Sequence, residues 1–200
     1  MIESNSHYTD RTFEEVDLNA TRLVSSQFNA CTFVNCSFVE TVLLDCRFIE
    51  CKFKDCDMSL LQVSGSVVSG TTFEDSKLVG INWTHANWGT NLLQEPLAFA
   101  RCVLNHSTFI GLTLAEFQFK DCIASDVDFR EADLSQSMFE GTDLSESFFS
   151  QTNLTQADLS RARNYTINPE ENTLKGAKFS LPEAMSLLFS MNILLIDPNE

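Results

Sequence analysis

The sequence is short of positive charge. Thirteen Lys and Arg stand against 28 Asp and Glu, which leaves −15 at pH 7. Binding to nucleic acid through its phosphates needs a cationic surface, so direct nucleic-acid contact is not expected. Attraction to an anionic membrane is excluded for the same reason. No window approaches the eighteen or so apolar residues of a spanning helix, and Met1 to Asp10 lacks the charged-then-apolar pattern of a signal. A cytoplasmic location follows as the expectation. Cysteine is present seven times, an odd number, but no CxxC pair occurs. Neither a disulfide framework nor a zinc site is therefore read from it. GxSxG, HExxH, P-loop and GxGxxG motifs are all missing. His7, His85 and His106 show no repeated acid or nucleophile partner. No enzyme, no cofactor and no metal are expected.

What is present is phenylalanine, seventeen residues against two tyrosines, and its spacing is regular. Stepping by five from Phe13 gives Leu18, Leu23, Phe28, Phe33, Phe38, Leu43, Phe48, Phe53, Met58, Val63, Val68, Phe73, Leu78, Trp83 and Trp88. Tyr8 begins the series. Sixteen apolar residues in a row at a 44% background have a chance of roughly two in a million. A second run lies one residue out of phase: Phe99, Leu104, Phe109, Leu114, Phe119, Ala124, Phe129, Leu134, Phe139, Leu144, Phe149, Leu154 and Leu159. Neither the helical nor the strand period fits, so the period of five marks a repeat. The residue two before each centre is mostly small, and all seven cysteines occupy that place. Residues two apart in an extended segment point the same way. A large centre and a small companion then face inward, and the cysteines are buried packing residues. The other three places carry nearly all the charge and face out, including Asp126 and Asp128, which read as solvated surface.

The units Ala132-Asp133-Leu134-Ser135-Gln136, Thr142-Asp143-Leu144-Ser145-Glu146 and Ala157-Asp158-Leu159-Ser160-Arg161 resemble the pentapeptide-repeat family over residues 11 to 163. The resemblance implies an all-β fold, a right-handed quadrilateral β-helix with four pentapeptides per coil. Residues twenty apart then stack, so Cys31 and Cys51, Cys36 and Cys56, and Cys102 and Cys122 form ladders. Ile81-Asn82-Trp83-Thr84, Phe99 to Cys102 and Lys178 to Met185 are similar to the subgroup that protects type II topoisomerases. The albicidin-immunity branch is the nearer likeness, the microcin-immunity and quinolone-resistance proteins the more distant. That resemblance implies a DNA mimic whose partner is DNA gyrase or topoisomerase IV, and a homodimer joined through the C-terminus.

Along the chain, residues 1–7 are expected to be loose and 8–88 to form a first stack. Residues 89–98, with Gly89, Thr90, Asn91, Gln94, Glu95 and Pro96, break the phase. They are read equally as a structural joint or a recognition loop. A second stack is expected over 99–163 and a cap with the dimer contact over 164–200. In the cap, Ser180-Leu181-Pro182-Glu183 has the form of a capping box opening a helix to about Met191. Ile193 to Ile196 read as a short strand. Leu181, Met185, Leu188, Met191, Ile193 and Leu195 are the expected dimer contacts, since the tail is too apolar to stay exposed. The expected partner surface is Glu15, Asp55, Asp75, Glu116, Asp121, Asp126, Asp128, Glu131, Asp133 and Glu146. Segment 116–158 alone carries ten acids and two bases. The competing expectation is a scaffold whose acidity serves only solubility.

Overall fold

Among the described residues, twelve units hold a three-residue strand, as in Thr12–Glu14, Thr32–Val34 and Lys52–Lys54. Many others pair through a single bridged residue, and in each a further residue turns the chain. The turning residue stands two after each large centre and takes left-handed backbone, with φ of 53° at Glu15, 52° at Asn35 and 54° at Asp55. Such backbone costs an L-residue about 1–2 kcal/mol, least for Asn and Asp. The computed structural model describes residues 2–89 and 95–196.

Four sides bring the chain round by twenty residues, and the coils pair in parallel. Thr12, Phe13 and Glu14 stand against Thr32, Phe33 and Val34, which stand against Lys52, Phe53 and Lys54. Hydrogen bonds between coils run along the axis: Thr32 N–H donates to the Arg11 carbonyl (2.8 Å) and Asn35 N–H to the Lys54 carbonyl (3.0 Å). The result is a right-handed β-solenoid.

The centres fill the interior as columns. On one side Phe13, Phe33, Phe53, Phe73, Phe99, Phe119 and Phe139 stack ring over ring, with successive centroids 5.1, 4.6, 5.2, 5.0, 5.2 and 4.9 Å apart. A second column holds Trp83, Phe109, Phe129 and Phe149 at 5.7, 5.5 and 5.3 Å. The small companions are also inside, and their chemistry explains why Cys, Ser and Thr interchange there. Many of the polar ones donate to the carbonyl of a centre one coil below: Thr142 Oγ1 to Phe119 (2.9 Å), Thr152 Oγ1 to Phe129 (2.9 Å), Cys122 Sγ to Phe99 (3.5 Å), Cys51 Sγ to Phe28 (3.4 Å). A buried donor placed in this way costs little. All seven cysteines are buried and free. Stacked thiols influence one another: Cys36 is lowered to about 7 by the Cys56 thiol, and Cys56 is raised by Cys36.

The phase slip is an insertion. Phe73 pairs with Phe99 and Asn82 with Thr108, a spacing of 26 rather than 20. Asn87 N–H still donates to the Ser66 carbonyl, and Gly70 N–H next reaches the Glu95 carbonyl. Six extra residues therefore enter between 88 and 95, and the stack resumes in register. Leu97 is already buried and Ala98 opens a strand, so both belong to the coil rather than to the loop. Thr90, Asn91 and Gln94 lie outside the described residues.

The two ends differ. Residues 2–5 do not stand free as expected: Ile2 is buried, Asn5 N–H donates to Val24 carbonyl (2.8 Å) and Ser26 Oγ to Glu3 carbonyl (3.0 Å). They cover only part of the first coil, whose Tyr8, Phe13 and Leu18 are half-buried. At the other end a single helix, Met185–Ser190, lies over the last coil. It is shorter than expected because the capping box does not form. Ser180 Oγ donates to the Ser160 carbonyl, Glu183 accepts from Asn164 N–H (3.4 Å), and the helix starts at Met185 with Ala184 as an N-cap that makes no side-chain bond. Residues 193–196 form no strand, which corrects the expectation. A strand needs a paired neighbour, and among the described residues none of the four, all exposed, bridges to another segment. Among the described residues no helix is long and apolar enough to cross a membrane.

Candidate functional site

The turning places form four columns down the edges of the square rod, and these columns hold the charge. Among the described residues with positive φ are twelve acids: Asp10, Glu15, Glu40, Asp45, Glu50, Asp55, Asp75, Glu116, Asp121, Asp126, Glu131 and Glu146. Only one Lys or Arg, Arg101, shares such a position. Twelve acids less one base is −11, out of −15 for the whole chain. Turn chemistry accounts for Asp at left-handed backbone but not for six Glu, since a long Lys or Arg would be tolerated there as well as Glu. Gly141 marks a close approach on one edge: a Cβ there would collide with the Asp121 carboxylate.

The flat sides behave differently. Seven ion pairs among the described residues involve their acids: Lys52–Glu74, Lys77–Asp57, Lys120–Glu140, Arg161–Glu140, Arg130–Asp128, Arg163–Asp143 and Lys178–Asp158. Of the twelve edge acids, only Asp75 and Asp126 have an ion-pair partner among the described residues. Arg101 grips Asp75 through Nε and a terminal nitrogen (2.6 and 2.8 Å), across the insertion. That contact holds the Asp75 carboxyl below the usual carboxylate range.

The ten expected site acids thus divide. Glu15, Asp55, Asp75, Glu116, Asp121, Asp126, Glu131 and Glu146 stand on the edges. Asp128 and Asp133 do not. Both sit one place before a centre, where the carboxylate accepts the N–H two residues on: Arg130 N–H for Asp128 (3.1 Å) and Ser135 N–H for Asp133 (3.0 Å). Arg130 also binds Asp128 through its guanidinium and lowers its pKa. Asp143 and Asp158 repeat the arrangement, each also accepting the serine hydroxyl at 2.6 Å. The Asp-Leu-Ser unit is therefore a turn device. Four edge acids, Asp10, Glu40, Asp45 and Glu50, lie outside the expected partner surface. His106 also gains a partner that its sequence neighbours do not suggest: Asp126, one coil on, at 2.7 Å from Nδ1.

Residues 6–83 and 26–109 match the pentapeptide repeat region family, and 134–163 match a family of eight tandem pentapeptide repeats. The chain belongs to the pentapeptide-repeat family. No curated protein matches it significantly. Among solved structures, two trypsin-treated forms of QnrB1, a plasmid-mediated fluoroquinolone resistance protein, superpose with TM-scores of 0.70 and 0.72 at 17% and 16% identity. They cover 96% and 98% of this chain and 100% of their own. HetL, a pentapeptide repeat protein involved in heterocyst differentiation regulation in the cyanobacterium Nostoc, matches at TM-score 0.51 and 18% identity, over 89% of this chain and 87% of its own. At these identities the likeness is one of fold. Among the described residues of this pentapeptide-repeat chain, no group of three or more His, Cys, Asp or Glu is placed to hold a metal ion.

The pentapeptide-repeat rod ends in an apolar patch. Leu181 is 78% exposed, Leu194 87% and Ile196 86%. Met185, Leu188, Ile193 and Leu195 of the expected contact set are also exposed, and Met191 is half-buried.

Proposed function

We propose that this protein engages bacterial DNA gyrase or topoisomerase IV as a DNA mimic and protects it from poisoning. The observation that carries the reading is the placement of twelve acids, against one arginine, at the left-handed turning positions of the rod. Eight coils at about 4.8 Å give a length near 36–40 Å. Charge of −15 over that length is about 0.4 per Å, against about 0.6 per Å for B-DNA. A cationic DNA-entry groove would attract such a rod before any close contact forms. The likeness to a fluoroquinolone resistance protein supports this reading. The resemblance of Ile81 to Thr84 and of the C-terminal segment points to the toxin-immunity branch. A supercoiling assay with and without a gyrase poison tests it: added protein should restore supercoiling at low salt and lose that effect as salt rises. Unaltered gyrase at every salt concentration would leave a scaffold role in its place.

The rod doubles if the apolar ends meet, which would bury Leu181, Leu188, Leu194 and Ile196 against a second copy. Full-length protein should sediment as a dimer at micromolar concentration. Leu194→Asp with Ile196→Asp should give a folded monomer, because both side chains are free of the core. A wild-type monomer would remove the long rod.

The insertion makes a separate test. Deleting residues 89–94 restores the twenty-residue repeat and should leave the melting temperature within a few degrees. Gyrase binding should survive this deletion better than protection does. Equal loss of both would make the insertion part of the docking surface.

A further inference from the structure

Six of the seven cysteines stand in pairs one coil apart, and nothing in the edge chemistry uses them. Cys36 and Cys56 flank the Ser37–Asp57 bridge, Cys102 and Cys122 the Val103–Ile123 bridge, and Cys31 and Cys51 the paired Thr32 and Lys52. All six are buried to within 3%. The geometry points to three two-coordinate sites for a thiophilic divalent ion, mercury(II), held between successive coils by Cys31–Cys51, Cys36–Cys56 and Cys102–Cys122.

Spacing is the first argument. A thiolate–metal bond near 2.3 Å spans about 4.6 Å between two sulfurs when the ion is linear. The coil repeat is about 4.8 Å. Charge is the second. Two thiolates and one divalent ion are neutral together, which suits the apolar interior between phenylalanine columns, whereas a monovalent ion would leave a buried negative charge. Ligand number is the third. Zinc takes four ligands, and no third is at hand among the described residues. A soft ion content with two sulfurs needs none. Loading exchanges two S–H bonds for two S–Hg bonds and releases two protons to solvent, with no change of oxidation state. Cys46 is left out, since Ser26 and Ser66 stand a coil away on either side and Ser66 Oγ accepts the Cys46 N–H (3.0 Å).

The test titrates reduced full-length protein with mercuric chloride, adds excess glutathione, and counts retained ions by native mass spectrometry. Three ions per chain are expected, with the sheet signal in circular dichroism intact and the melting temperature raised, because each ion ties one coil to the next. Cys56→Ser and Cys122→Ser should each remove one ion. Both should fold, since Ser66 and Ser76 already occupy equivalent inner places. Surrender of all mercury to glutathione, uptake only with loss of the sheet signal, or an unchanged count in both variants would overturn the proposal.

Discussion

Phe129→Ala should destabilise the solenoid by about 3–5 kcal/mol. The ring is fully buried, between Phe109 at 5.5 Å and Phe149 at 5.3 Å, with the edges of Phe119 and Phe139 at 6.0 and 6.1 Å. Stacked and edge-on rings add about 0.5–1.5 kcal/mol each beyond the area they bury. The gap cannot close. Phe129 N–H donates to the Phe148 carbonyl (3.0 Å), and axial bonds of this kind hold the coils on either side at their spacing. Phe148 is the control: it points outward, half exposed, under Arg130 at 5.8 Å, and its replacement by alanine should stay near 0.5 kcal/mol. Urea unfolding of both variants measures the difference. A cost below about 1 kcal/mol at Phe129 would contradict the inward column.

Neutralising one end of the edges should be the most damaging change to function. Glu116→Gln, Asp121→Asn, Asp126→Asn, Glu131→Gln and Glu146→Gln remove five charges per chain. Folding should survive. Gln136, Gln151, Gln156 and Asn35 already stand at the same left-handed places, and Asn tolerates that backbone as well as Asp. Gyrase binding at low salt should fall by about tenfold or more, mainly through slower encounter, and protection should fall with it. Neutralising Asp128 and Asp133 in their place should do less to binding, since those carboxylates serve their own turns. Full protection by the five-fold edge variant at low and high salt would end the electrostatic reading.

Most of this fold can be read in the sequence because a single rule repeats. Large centre, small companion and three outward residues are set by strand geometry alone, and the slip after Trp88 shows as a change of phase. The division between edges and flat sides is harder to see. Asp126 and Asp128 look alike in sequence, but one turns the chain and the other caps it. The place two after each centre, rich in Asp, Glu and Gly, carries the signal that separates them. The His106–Asp126 contact needs the twenty-residue stack rather than sequence proximity. The C-terminal cap follows no repeat. There Ser180 and Glu183 satisfy Ser160 and Asn164 on the last coil before they can cap a helix, and tertiary contacts override a local motif.

Axial hydrogen bonding also gives the molecule a mechanical grain. Tension applied along the rod loads the bonds of the outermost coil before those beneath it, so the chain should unravel turn by turn like a spring paid out from one end. The first coil, only partly covered, is the weaker grip, and the helix-covered end the stronger. Each released coil of twenty residues adds about 70 Å of contour, but the one between Phe73 and Phe99 adds about 90 Å for its 26. The insertion would therefore appear in a force–extension trace as one long step among equal short ones, a position marker written into the rod's elasticity.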